Sequence, residues 1–183
     1  NRLTQTDARG VLSNYSYDAA NRLIAITYPS EPTQNVAFFY DTLQSVCATG
    51  EQVVIGQMTR MTDETGQTQF CYDHRGNLRR KVQTTYNTVL TTVYSYNVAD
   101  RLIGMTYPSG IAVAYVRDSQ GRVVSATASR GSFSLPLVTS ASYQPFGPIK
   151  QLNFGNGETL NKVWDQNYWP DAVTSAAINY DFT

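Results

Sequence analysis

The feature that most constrains this chain is an internal repeat. Residues Tyr15 to Ser30 read YSYDAANRLIAITYPS, and Tyr94 to Ser109 read YSYNVADRLIGMTYPS. Eleven of those sixteen positions are identical across an offset of 79 residues. A fixed self-similarity of this kind marks a tandem architecture, in which each unit buries its surface only against its neighbours. A shorter core, aromatic-x-x-Asp-x-x-Gly-Arg, recurs more often. It runs through Tyr15, Asp18, Asn21 and Arg22; through Phe70, Asp73 and Gly76; through Tyr94, Asn97, Asp100 and Arg101; and through Tyr115, Asp118, Gly121 and Arg122. A fragment at Phe38 and Asp41 starts the motif and breaks off. Spacings between the Asp positions are 23, 32, 24 and 21, so the period is in the low twenties. The long interval holds an irregular insertion at about 42–54.

Short β-rich runs flank each Asp, as in Leu23 to Tyr28, Val89 to Tyr94 and Ile111 to Tyr115. In Tyr15-Ser16-Tyr17 and Tyr94-Ser95-Tyr96 the rings stand two apart, on one face of a strand. The Asp falls at the turn, where its short side chain can accept backbone N–H groups two residues on. Three residues later comes Gly, Asn or Asp, the types that tolerate a left-handed backbone. This predicts a type I turn followed by one left-handed residue, and hence a β-hairpin of about 20 residues per repeat. Asp7-x-x-Gly10, Asp63-x-x-Gly66, Tyr28-Pro29-Ser30 and Tyr107-Pro108-Ser109-Gly110 are expected to turn the chain at the opposite ends. Asn156-Gly157 is a hairpin signal, and Trp164 to Trp169 reads as a decayed aromatic-Asp unit. The expected fold is all-β: tandem antiparallel hairpins over residues 1–183, with Ser142 to Thr183 continuing the pattern.

Composition narrows the function. Fourteen basic and fourteen acidic residues give zero formal charge, which supplies no electrostatic footprint for nucleic acid. No run of 18 apolar residues is present to span a membrane as a helix. The lone His74 follows Asp73 in a turn and reads as an exposed turn residue. One His and two Cys supply no metal cluster. Carboxylates such as Asp63, Glu64, Asp165 and Asp171 could pair as in a glycosidase, but an Asp found in every repeat is better explained by structure. No catalytic residue, cofactor site or metal site is expected. Cys47 and Cys71 could pair, but two free, partly buried thiols are the favoured reading, since free Cys packs as a small hydrophobe. The tyrosines offer the one binding reading, stacking on sugars; packing within the sheet is the simpler account.

Tyr17-Asp18-Ala19-Ala20-Asn21-Arg22-Leu23 and Tyr72-Asp73-His74-Arg75-Gly76-Asn77-Leu78 resemble the YD repeat, Y-D-x-x-G-R-L. Tyr143 to Gly157 (YQPFGPIKQLNFGNG) is similar to a stretch common in RHS-repeat proteins. The resemblance implies a long sheet that curves and spirals into a hollow shell, as in bacterial RHS proteins, toxin-complex C components and teneurins. In the bacterial toxins such shells enclose a C-terminal toxin domain. It assigns a structural role to Tyr17, Asp18, Arg22, Tyr72, Asp73, Gly76, Tyr96, Asn97, Arg101, Tyr115, Asp118, Gly121 and Arg122. The implied partners are further repeats or other copies joined through sheet edges, with an enclosed toxin domain or carbohydrate next. The implied location is secreted or cell-surface. No D-P-x-G-L junction is found, so the sequence is expected to be a wall segment without cargo, cut from something longer.

Overall fold

The computed structural model describes residues 1–177 and 179–181. Ile178, Phe182 and Thr183, the remainder of the stretch expected to continue the hairpins, lie outside the described residues. Among the described residues, sixteen strands in sequence order form an antiparallel sheet, and the helical element is a single 3-10 turn at Pro32–Gln34. The chain divides into two compact units, Asn1–Tyr94 and Ser95–Thr183.

The first unit holds β1 (Thr4–Thr6), β2 (Leu12–Tyr17), β3 (Leu23–Thr27), β4 (Val36–Tyr40), β5 (Met58–Asp63), β6 (Gly66–Tyr72), β7 (Leu78–Thr85) and most of β8 (Thr88–Tyr96). The second holds β9 (Leu102–Thr106), β10 (Ala112–Arg117), β11 (Val123–Arg130), β12 (Phe133–Tyr143), β13 (Ile149–Phe154), β14 (Thr159–Trp164), β15 (Pro170–Thr174) and β16 (Asn179–Asp181). The β-rich runs that flank each motif Asp in the sequence are therefore strands β3, β8 and β10. Their Val, Ile, Thr and Tyr content suits a pleated, half-buried surface.

Six hairpins share one irregularity. Ser16 pairs with Ala25 but Tyr17 with Leu23, and the same one-residue shift recurs at Tyr40, Tyr72, Arg117, Tyr143 and Trp164. Each is a β-bulge placed one residue before the start of a turn, an Asp in five of the six and Gln144 in the other. A bulge bends its strand and strengthens the local right-handed twist. Pro136, inside β12, sits beside another shift, where Thr127 pairs with Pro136 and Ala126 with Val138. A proline is tolerated in a sheet at such a place because it need not donate to the ladder.

Little of the apolar surface is deeply buried. Among the described residues the buried hydrophobic side chains are Cys71, Val82, Val113 and Ala126. Most strand side chains are half-buried between their neighbours along the sheet, as expected where cohesion comes from adjacent repeats. Close backbone approach adds a second demand. A Cβ on Gly155 would lie 1.7 Å from the Pro136 carbonyl oxygen, whereas one on Gly157 (φ +88) would meet nothing within 4 Å.

Gly155→Ala is therefore expected to destabilise by about 2–3 kcal/mol through backbone displacement, and Gly157→Ala by only about 1 kcal/mol through left-handed strain. Urea unfolding of both variants checks the order; equal midpoints would remove the close-approach argument. The terminal strands β1 and β16 are three residues long and exposed along their length. Unpaired edges favour association, so the isolated chain is expected to self-associate at high concentration. Light scattering showing a clean monomer would contradict this.

Candidate functional site: the turn edge and its inter-repeat clasps

The motif residues converge on one turn design. At Asp18 the backbone N–H donates to the Arg22 carbonyl at 3.0 Å, and the Asn21 N–H returns to the Asp18 carbonyl at 3.0 Å. Oδ1 of Asp18 accepts the N–H groups of Ala20 and Arg22, each at 2.9 Å. Asn21 takes φ 60. Asp73 repeats this with Arg75, Gly76 (φ 82) and Asn77, and Asn97 with Ala99, Asp100 (φ 56) and Arg101. Asp118 does so with Gly121 (φ 86) and Arg122. A single side-chain oxygen thus ties together the five-residue loop, and the residue in the Gly slot supplies the left-handed step.

Two further turns share the design. Asp7 binds the N–H groups of Arg9 and Val11, with Gly10 at φ 83. Asp165 binds those of Asn167 and Trp169, with Tyr168 at φ 62. Asp63 and Gly66, which share the D-x-x-G spacing of Asp7 and Gly10, instead form a two-residue hairpin loop in which Asp63 pairs directly with Gly66.

The tyrosines and arginines then join one repeat to the next. The Tyr40 hydroxyl donates to the Leu23 carbonyl at 2.9 Å, and the Tyr72 hydroxyl to the Met58 carbonyl at 2.9 Å. The Tyr143 hydroxyl donates to the Val123 carbonyl, and the Trp164 indole N–H to the Ile149 carbonyl at 2.9 Å. In the Asp118 repeat the slot before Asp is Arg117, whose Nε and Nη2 reach the Leu102 carbonyl at 2.9 and 2.7 Å. Each acceptor follows directly on a turn, where the bulge ends regular pairing with the next strand. The clasp satisfies a carbonyl that the ladder leaves open.

Arg22 bonds its own Asp18 through Nε (2.7 Å) and the next repeat's Asp41 through Nη2 (2.7 Å), and lies over the Tyr40 ring at 4.4 Å. Arg122 bonds Asp118 at 2.7 Å, lies over the Tyr143 ring at 4.5 Å and donates to the Gln144 carbonyl at 3.3 Å. Arg101 has Asn97 instead of a carboxylate, and its guanidinium lies against the next turn; a Cβ on Gly121 would fall 1.8 Å from its Nη1. Where Asn77 replaces Arg, Arg79 stands 3.8 Å from Asp73.

These contacts set the charge states. Backbone and side-chain hydrogen bonds from Arg22 hold the Asp18 carboxyl below its ordinary range. Asp41 is lowered by the Arg22 side chain and then by the Gly56 N–H. At Asp118 burial opposes the shift, but the Arg122 bonds prevail and the net direction is down. Burial raises the Tyr72 phenol, which keeps its donor proton for Met58.

Tyr15 and Tyr115 sit two residues further back along their strands and are half-buried, as are Tyr17 and Tyr96. His74 is exposed in its turn. Among the described residues, no three His, Cys, Asp or Glu side chains come together to hold a metal ion, and no helix is long and apolar enough to cross a membrane. The sequence reading of the tyrosines as packing groups did not include the hydroxyl clasp. The signal for it was the recurrence of an aromatic directly before the turn residue, at Tyr40, Tyr72, Tyr96, Tyr143 and Trp164.

The expectation of two free thiols is corrected: Cys47 and Cys71 form a disulfide, with Cα atoms 5.4 Å apart. Cys71 lies on the face of β6 that the insertion covers, and the insertion brings Cys47 onto it.

This turn, bulge and clasp define an antiparallel hairpin-repeat protein. The RHS repeat family matches residues 1–33, 72–112 and 96–132, together just over half of the chain, and the chain belongs to that family. Among solved structures it is similar to the TcdB2-TccC3-Cdc42 crystal structure (TM-score 0.77, 16% identity, 94% of this chain). It is also similar to TcdB2-TccC3 (TM-score 0.78, 13% identity, 98% of this chain) and to the Photorhabdus luminescens Tc holotoxin pore (TM-score 0.76, 15% identity, 94% of this chain). The chain spans about a tenth of the length of those proteins. No curated protein sequence matches it.

Tyr72→Phe is expected to cost about 1 kcal/mol, the net value of one hydrogen bond to a carbonyl left open, read from a denaturation midpoint. Because Asp18, Asp41, Asp73 and Asp118 are lowered in the fold, their contribution is complete above the ordinary carboxylate pKa of about 3.9. It is lost as pH falls through the lower folded values. Stability should fall steeply below about pH 4, and less steeply in Asp118→Asn. That variant should also be milder than Asp118→Ala, since Asn97 shows that an amide oxygen serves the turn. A flat acid limb in the wild-type protein would contradict the assignment.

Proposed function

We propose that this chain is a structural wall segment of an RHS-type shell that encloses a toxin or effector domain. The observation that carries the reading is the clasp: at five turns the side chain directly before the turn bonds the preceding hairpin, so repeats extend the sheet one after another. Membership of the RHS repeat family and likeness to TcdB2-TccC3 support it. The thirteen motif residues named from the sequence then act as turn, clasp and packing groups, without catalytic, cofactor or metal roles. The partners are adjoining repeats and an enclosed domain, and the assembly works as a secreted one.

Carbohydrate binding is less well supported. The paired tyrosines Tyr15, Tyr17, Tyr94 and Tyr96 are half-buried and do not form an open aromatic patch.

Protease protection tests the shell. The full polypeptide that carries this segment is digested in its native state, with any domain adjoining the repeats followed by immunoblot. That domain is expected to survive until the shell is denatured. Digestion at the rate of the free domain would overturn the reading.

A further inference from the structure

The interrupted repeat holds a separate device. Fourteen residues stand between Asp41 and Gly56, where other turns place two. The hairpin closes regardless. The Asp41 N–H donates to the Gln57 carbonyl at 3.1 Å, the Gly56 N–H donates to Asp41 Oδ1 at 2.6 Å, and β4 and β5 keep their register.

The looped-out segment lies over one face of β5, β6 and β7. Gln69 Nε2 donates to Gln44 Oε1 at 3.0 Å, Arg80 Nε donates to Glu51 Oε2 at 2.8 Å, and the Val53 N–H donates to the Tyr72 carbonyl at 3.1 Å. Beneath it Thr59 is 0% and Cys71 1% exposed. The covered patch is mostly polar, and of the segment's own larger apolar side chains Leu43, Val53 and Ile55 face solvent while Val46 and Val54 are only half-buried. Hydrophobic burial therefore holds it weakly, and water can replace its hydrogen bonds when it lifts. The covalent tie is Cys47–Cys71.

We propose that residues 42–55 form a redox-released strap, opened by a dithiol reductant while the hairpin ladder stays folded. A thiolate of the reductant attacks the half-buried Cys47 sulfur, and the S–S bond breaks with Cys71 leaving as thiolate. The position of Cys71 pairs across the ladder with that of Arg80, a cation. The reductant's second thiolate then attacks the mixed disulfide, releases Cys47 as thiolate and leaves as a cyclic disulfide. Both cysteines take up a proton, and two electrons pass to the protein. Opening uncovers Thr59 and Gln69 and separates Arg80 from Glu51. This inference does not depend on the shell reading, since it concerns one loop and its bond.

Hydrogen–deuterium exchange on the intact chain at neutral pH tests it, with and without dithiothreitol. Without reductant, the protein is expected to resist alkylation at both cysteines. With reductant, exchange in 43–55 should rise by at least about tenfold, as for local opening, while β10 and β11 hold their protection. The Cys47→Ser, Cys71→Ser double variant should show the open pattern without reductant. A variant with 42–55 replaced by a two-residue turn should keep the β-sheet circular dichroism spectrum. Free thiols in the untreated protein, unchanged exchange after reduction, deprotection spread evenly through all strands, or failure of the shortened variant to fold would each overturn the proposal.

Discussion

Most of the turn region depends on one oxygen atom. Oδ1 of the turn Asp or Asn accepts two backbone N–H groups across a five-residue loop, which fixes the left-handed residue and the register of the hairpin. That register places a bulge one residue before the turn. The bulge ends regular pairing with the next hairpin early and leaves a carbonyl open, and the aromatic or arginine of the next repeat fills the gap. Local turn chemistry thereby determines how repeats attach, without a conventional hydrophobic core.

The clasp position tolerates several residue types because its geometric demand is simple. A long side chain must carry an N–H or O–H at its tip. Tyr40, Tyr72 and Tyr143 use a hydroxyl, Trp164 an indole and Arg117 a guanidinium. The arginine after the turn is likewise a link along the edge: Arg22 joins two carboxylates and Arg122 reaches a ring and a carbonyl. At both places the cation lies over a ring, Arg22 over Tyr40 and Arg122 over Tyr143.

Much of this was legible in the sequence, because the turn is local. Asp followed three residues later by Gly, Asn or Asp contains nearly all the information for a type I turn with a left-handed step. Asn21, Gly76, Asp100 and Gly121 all take positive φ. The clasps were not legible in the same way, since they join residues 14 to 20 positions apart and depend on where the bulge falls. The disulfide was harder still. Cys47 lies in the least regular segment, and only the path of that segment over β6 brings it to Cys71. The likeness of D-x-x-G at Asp7 and Asp63 also misleads, because loop length between paired strands, and not the motif, selects the turn type.

The closure of the Asp41–Gln57 hairpin around fourteen extra residues has a wider meaning. Its stem needs only the terminal Asp and Gly to meet, so whatever lies between them is free to vary in length and chemistry. Each such turn is a port at which new sequence can enter the sheet without disturbing the strand order. In a protein built from similar units, these ports are where one repeat can acquire a character that its neighbours lack.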